Sequence, residues 1–320
     1  MMANLLRAAV FALVLAAIGF AAHRIADGRT AQGLVGAAII LLAFVPVMVL
    51  QAVLLHVMNA PRQGLMPGHE AWLEAPPRAS LWQLSRAIVR EMAVFVAVFL
   101  WRQPFRTDAV SDVPVGTRAL PGSGADFQRG VVLVHGFCCN RAMWNPWLHR
   151  LRAKGIPTAT VNLEPVFGSI DAYSPIVDTA VRRMAEATGL APVVVGHSMG
   201  GLATRAWLRA AGPGAIDRVH HVVTIGTPHH GTWISHLAHA RNARQMLLMG
   251  DWIRALHASE DRSIDRRFTC FFSHCDNIVF PASTAALPGA DNLHVEATAH
   301  VDLINVPEVF AEVVARSRER

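Results

Sequence analysis

Ser198 stands between Gly196 and Gly200 in GHSMG, directly after the apolar run APVVV and directly before the helix-like pattern GLATRAWL. At a sharp strand-to-helix turn a serine hydroxyl is presented to a reacting group, and glycines on both sides remove Cβ atoms that would collide there. The hydroxyl alone is a weak nucleophile. It needs a base to take its proton and a carboxylate to orient that base. Sixteen histidines and 23 acidic residues are available, so position along the chain must choose among them. With this kind of serine turn the acid and the base follow the nucleophile. His300, in EATAHVDLI, falls after the last strand pattern and before the last helix pattern. His294 lies inside that strand pattern, and His229 and His230 come too early. Asp276 follows FTCFF in SHCDNIVFP, at the C-terminal edge of a strand, where sites in open sheets collect. Asp291, ahead of the last strand, and Asp302, two residues beyond His300, are the competing acids.

Attack of a hydroxyl on a carbonyl creates an oxyanion, which preorganised backbone donors must hold. The Met199 amide, directly after the nucleophile, is one candidate. The other is Phe137, in the His135-Gly136-Phe137 segment that ends the first strong strand pattern.

These groups need a scaffold, and its pattern begins at Gly130. Strand patterns at 131–135, 158–163, 193–196, 220–226, 268–272 and 293–297 alternate with helix patterns at 142–154, 174–188 and 199–211, and a helix at 306–318 closes the chain. Continuous apolar strands separated by helices predict an α/β fold, its mostly parallel sheet covered on both faces. An insert, 232–266, carries Met246, Leu247, Met249, Trp252, Ile253 and Leu256, which can line one side of a helix, either a mobile lid or core packing.

The first 60 residues are of another kind. Residues 8–22 are uncharged, and 33–58 form a longer uncharged run that exceeds the roughly 30 Å hydrocarbon core and can span it with some tilt. Pro46 is tolerable within a membrane helix. Two transmembrane helices are therefore expected to precede the sheet domain, although the first run also resembles a signal-peptide core. The basic residues Arg7, Arg62 and Arg78 against Arg24 and Arg29 favour a cytoplasmic sheet domain. Residues 81–101 place Leu81, Leu84, Ile88, Met92, Phe95 and Phe99 at helical spacing and predict an interfacial or domain-packed helix. The stretch 110–130 reads as a linker or a weak first strand. The expected organisation is a transmembrane hairpin (1–60), a juxtamembrane helix and linker (61–129), and a catalytic domain (130–320).

The net charge of +6 is spread evenly, +2 in each of 1–60, 61–118 and 119–320, so there is no basic block and nucleic acid is not an expected partner. Four cysteines make no disulfide framework at this length: Cys138 and Cys139 are adjacent and can hardly bond each other, while Cys270 and Cys275 either pair or stay free buried thiols.

VLVHGF, GHSMGG, IGTPHHGT and DNIVFP together resemble the α/β-hydrolase superfamily, and within it the bacterial true lipases and esterases. The resemblance covers residues 130–320. It departs from that group in Cys138-Cys139 after HGF and in the short region after HHGT. It implies carboxylic-ester hydrolysis by Ser198, Asp276 and His300 through an acyl-enzyme, with no cofactor and no metal. The expected partners are an ester or lipid substrate and a bilayer, the inner membrane of a bacterium. An acyltransferase or thioesterase would use the same triad, and a non-catalytic membrane scaffold is the alternative of another class.

Overall fold

Six short runs become the strands β1 (Val131–Val134), β2 (Thr158–Thr160), β3 (Val193–His197), β4 (His221–Ile225), β5 (Phe268–Phe272) and β6 (Asp291–His294). All pair in parallel, in the order β2-β1-β3-β4-β5-β6. The computed structural model describes residues 1–58, 78–116, 128–212, 214–260 and 262–319. Arg62 and most of the 110–130 linker lie outside the described residues. Of the weak first strand, Val113 forms a single antiparallel bridge with Thr158.

The central strands are rich in β-branched residues and buried on both faces, as a parallel sheet flanked by helices requires. Among the described residues, five α-helical segments precede the sheet: α1 (Met2–Ala26), α2 (Thr30–Leu41), α3 (Phe44–Met58), α4 (Leu81–Phe95) and, after a π-helical stretch at Val96–Arg102, the turn α5 (Gln103–Phe105). Six follow within it: α6 (Asn145–Ala153), α7 (Ser174–Thr188), α8 (Met199–Ala211), α9 (Arg241–Gln245), α10 (Asp251–Ser259) and α11 (Pro307–Ser317). Alternation along β1 sorts the core. Val131 and Leu133 face α6 and α11 through Trp147, Leu148, Val309 and Val313, while Val132 and Val134 face α7 and α8 through Val177, Val181, Leu202 and Ala206.

The apolar stripe of the insert does not form one helix. The chain breaks between α9 and α10, with Met249 in the left-handed region at φ 49°. Met246, Ile253 and Leu256 are buried in the same cluster as Leu202 and Ala206, and Trp252 donates to Asp171 at 2.9 Å. These side chains of the insert pack into the core.

The N-terminal helices invert the usual pattern. α1 is long and apolar enough to cross a membrane, yet Phe11, Leu15 and Ile18 on it are exposed. Residues 33–58 are not one straight helix: α2 and α3 meet at a bend of 47°. Pro46 accounts for it, because a proline ring clashes with the carbonyl four residues earlier, here Leu42, at the break itself. α4 starts with a Ser80–Gln83 capping box. Core packing crosses residue 130: Leu55 and Leu84 lie in one cluster with Cys275, Phe280 and Ala299, and Val98 and Val110 join the cluster of Leu133.

Candidate active site

Strand order reverses between β1 and β3, and in an open α/β sheet such a reversal opens a crevice at the C-terminal strand ends. β1 runs into His135-Gly136-Phe137 and β3 runs into Ser198, so both segments meet at the crevice. The contact is close: a Cβ on Gly136 would stand 2.8 Å from the Ser198 Cβ.

Ser198 has φ 55° and ψ −127°, a conformation few non-glycine residues adopt and one that costs about 1–3 kcal/mol. Its surroundings hold it there. The Ser198 N–H donates to the Ile225 carbonyl at 2.9 Å, and the Ser198 carbonyl accepts from the Gly201 N–H at 3.1 Å. Gly200 must be glycine because a Cβ there would lie 2.4 Å from the Val134 carbonyl oxygen. The tight turn also leaves the first amides of α8 without helical partners. Neither the Met199 nor the Phe137 amide donates to a protein group among the described residues. The Phe137 ring lies 6.0 Å from that of Phe167, which is exposed.

The structure brings Asp276 and His300 together. His300 Nδ1 is 2.8 Å from Asp276 Oδ2, both residues being buried. Asp276 Oδ1 accepts the amides of Ile278 at 2.9 Å and Val279 at 2.8 Å, so the loop after β5 folds around its own carboxylate. Gly226, at φ 55°, makes room for the pair: a Cβ there would sit 3.0 Å from Asp276 Oδ2 and 3.1 Å from His300 Nδ1. Burial by itself would lower the His300 pKa, but the charge and hydrogen bond of Asp276, with Glu91 adding further negative charge, raise it. Beside it, His197 Nε2 lies 3.2 Å from the His300 carbonyl oxygen. Burial and then the His300 charge push its pKa well down, and its ring centroid is 4.8 Å from that of His300.

The alternatives have other occupations. His294 Nε2 accepts the His274 amide at 3.4 Å. His229 bonds Thr224 at 3.0 Å and faces Arg205, whose guanidinium forms a buried ion pair with Glu260 behind α8. The His230 ring stacks on His257 at 4.5 Å. His135 Nε2 accepts the Leu163 amide at 3.0 Å, and burial pushes its pKa down to about 4. Asp291 is exposed and pairs with Arg316 at 3.4 Å, and Asp302 pairs with Arg90 at 2.8 Å. All four cysteines are free thiols. Among the described residues no three His, Cys, Asp or Glu side chains are grouped to hold a metal ion.

Reading the sequence alone missed several residues at this site. Asn277 accepts the His300 amide at 3.2 Å, and Gly226 clears the space for the pair. Glu91 receives two amides from the His300 loop. It had a signal: with Leu84, Ala87 and Ile88 it occupies the inward stripe of an amphipathic helix, where a carboxylate needs a specific partner.

The sequence pattern described as the Alpha/beta hydrolase family matches residues 131–313. No curated protein matches the chain. Among solved structures, the lipase BlEst2 of Bacillus licheniformis in its mature form is similar with a TM-score of 0.54 and 16% identity, over 61% of this chain and 94% of that one. Aspergillus fumigatus lipase B is similar with a TM-score of 0.54 and 21% identity, over 62% of this chain and 54% of that one. A metagenomic carboxyl esterase, MGS0156, gives 0.50 and 14% over 70% and 89%. At these identities the likeness is one of fold.

Proposed function

The chain belongs to the alpha/beta hydrolase family, and from that premise we propose that it is a membrane-anchored serine hydrolase of carboxylic esters, directed at acyl lipids or similarly hydrophobic esters. The observation that carries the reading is the buried Asp276–His300 hydrogen bond at the strand ends where the strained Ser198 turn also stands. Asp276 engages Nδ1, which fixes the proton on that nitrogen and leaves Nε2 as the free base. In the proposed cycle, Nε2 takes the Ser198 proton as Oγ attacks the ester carbonyl. The amides of Met199 and Phe137 receive the oxyanion. His300 then returns the proton to the departing alcohol, and water releases the acyl group by the same steps. Asp276 stabilises the imidazolium throughout.

The anchor reading rests on exposure and direction. The outward surfaces of α1, α2 and α3 carry Leu15, Ile18, Val35, Ile39, Leu50 and Val53, all exposed. Apolar surface of this extent fits hydrocarbon better than water. The amino terminus pairs with Glu164 at 2.6 Å and Arg7 donates to the Pro104 carbonyl at 2.5 Å, while the far end of α3 packs Leu55 against Phe280. The hairpin thus starts and ends beside the sheet domain, so a bilayer crossed twice keeps both on one side. With the basic residues flanking it, that side is the cytoplasmic one of a bacterial inner membrane.

A fluorophosphonate probe applied to isolated membranes tests the chemistry. Labelling that maps to Ser198 and disappears in Ser198→Ala supports it, and a chain that stays unlabelled defeats it. Product analysis with added alcohol or thiol acceptors separates hydrolysis from acyl transfer.

A further inference from the structure

Three polar residues outside the family-matched stretch are buried or half-buried against the loops that carry the proposed site. Gln103 Oε1 accepts the Asn140 amide at 2.6 Å, just beyond Phe137. Gln51 Oε1 accepts from Asn277 Nδ2 at 2.8 Å, and Asn277 Oδ1 in turn accepts the His300 amide. Glu91 makes the tightest arrangement. Its Oε1 accepts the Val301 amide and its Oε2 the Asp302 amide, both at 2.9 Å, immediately after His300.

We propose that Glu91, on the juxtamembrane helix α4, is a positioning residue for His300, so that the N-terminal helices form part of the catalytic unit. This rests on the serine-hydrolase reading above. Two successive amides aimed at one point make an anion-binding concavity, and a carboxylate with two oxygens fills it. Packing alone gives no reason for a carboxylate here, because a buried charge costs more than an apolar side chain of the same volume. The charged groups that act on it are His300 and Asp276 from the site, while the Asp302 carboxylate of the same loop is paired with Arg90 of α4. Burial pushes the Glu91 pKa up to about 7, while the two amides and His300 pull it the other way. In its charged form it raises the His300 pKa. As pH rises through about 7, Glu91 loses its proton, and the carboxylate then both holds the loop and makes His300 a stronger base.

The test uses the full-length protein in detergent with a soluble short-chain p-nitrophenyl ester, comparing Glu91→Leu, Glu91→Asp and Glu91→Gln with Ser198→Ala as control. Glu91→Leu should lower kcat on the order of 10²-fold with KM little changed, as displacement of a catalytic group by about 1 Å does. Glu91→Asp should recover part of that loss. Glu91→Gln, of equal volume, should move the acid limb of kcat/KM to lower pH, since His300 loses a neighbouring negative charge. Parental kcat and an unmoved acid limb in Glu91→Gln overturn the inference. So does a kcat loss that follows melting temperature across the series with no shift of the limb. If Glu91→Leu does not fold, the Glu91→Gln profile decides alone. An active Ser198→Ala, by contrast, removes the hydrolase reading itself, whatever the Glu91 variants do.

Discussion

The sheet domain and the N-terminal helices use the same apolar residues in opposite ways. In β1 and β3 valines are wholly buried, and the polar groups of the site gather at the strand ends. On α4 the exposed face mixes Leu81, Trp82 and Val89 with Ser85, Arg86 and Arg90, and the inward stripe includes Glu91. A helix with large apolar and basic residues outside and a carboxylate inside has the face of an interfacial helix on one side and meets a polar loop on the other. The contrast teaches that a hydropathy profile measures how much apolar surface a segment has, and says nothing of which face meets which medium.

The sharpest way to test the sheet side is Ser198→Ala. Loss of a triad serine costs on the order of 10⁶ in kcat in a comparable system. We expect activity to fall to background while the protein accumulates and melts like the parent, because among the described residues the hydroxyl makes no hydrogen bond that holds the fold together. Activity within tenfold of the parent breaks the comparison at its root.

Asp276→Asn comes next. Losing the carboxylate favours the wrong imidazole tautomer and should lower kcat by roughly 10⁴. Asp302→Asn should act mainly on stability, through its pairing with Arg90, and only mildly on kcat. Steady-state kinetics and melting curves on both variants check this, and a reversed order reassigns the acid.

On the helix side, replacing Trp82 and Val89 with serine should weaken activity on esters embedded in vesicles while sparing a soluble short-chain ester. Each large apolar side chain removed from lipid forfeits roughly 1.5–3 kcal/mol of burial. An equal loss on both substrates would show that the outward face of α4 serves the site instead of the bilayer.

The smallest expected effect is on pH-dependent stability. Glu91 binds its proton more tightly in the fold, with a pKa near 7 against an ordinary 4.5. Between those values the unfolded chain is deprotonated and the folded one is not, so stability falls as pH rises from 4.5 towards 7 and then levels off. The full difference is at most on the order of 3 kcal/mol. Denaturant titrations at several pH values should show this component in the parent and not in Glu91→Gln.

Much of the fold could be read from the chain. The segments 174–188 and 199–211 form helices with those bounds, FTCFF forms a strand at 268–272, and Ser198 occupies the expected turn. Periodicity and glycine placement are local, so they survive in a single sequence. The ends of other elements moved: the strand expected at 293–297 runs from Asp291 to His294, because its pairing with β5 begins at Thr269–Asp291. The stripe at 246–256 misled, since residues spaced for one helix can instead reach the same core from two short helices on either side of a left-handed turn at Met249.

What the sequence by itself determined is the set of local commitments: a glycine-flanked serine between strand and helix, apolar β-branched runs that must be buried on two faces, and a long apolar helix near residue 1. Each depends on neighbours within a few residues, where steric and hydrophobic preferences act directly. Tertiary structure alone decided which carboxylates meet which loops. Asp276 reaches His300 across 24 residues, and Glu91 reaches the amides of Val301 and Asp302 across 210 and 211. Partners so far apart are joined only when the sheet closes and α4 docks on it. The physical reason is that an unpaired amide or carboxylate in the interior costs about as much as several ordinary contacts contribute, so the folded chain places them together.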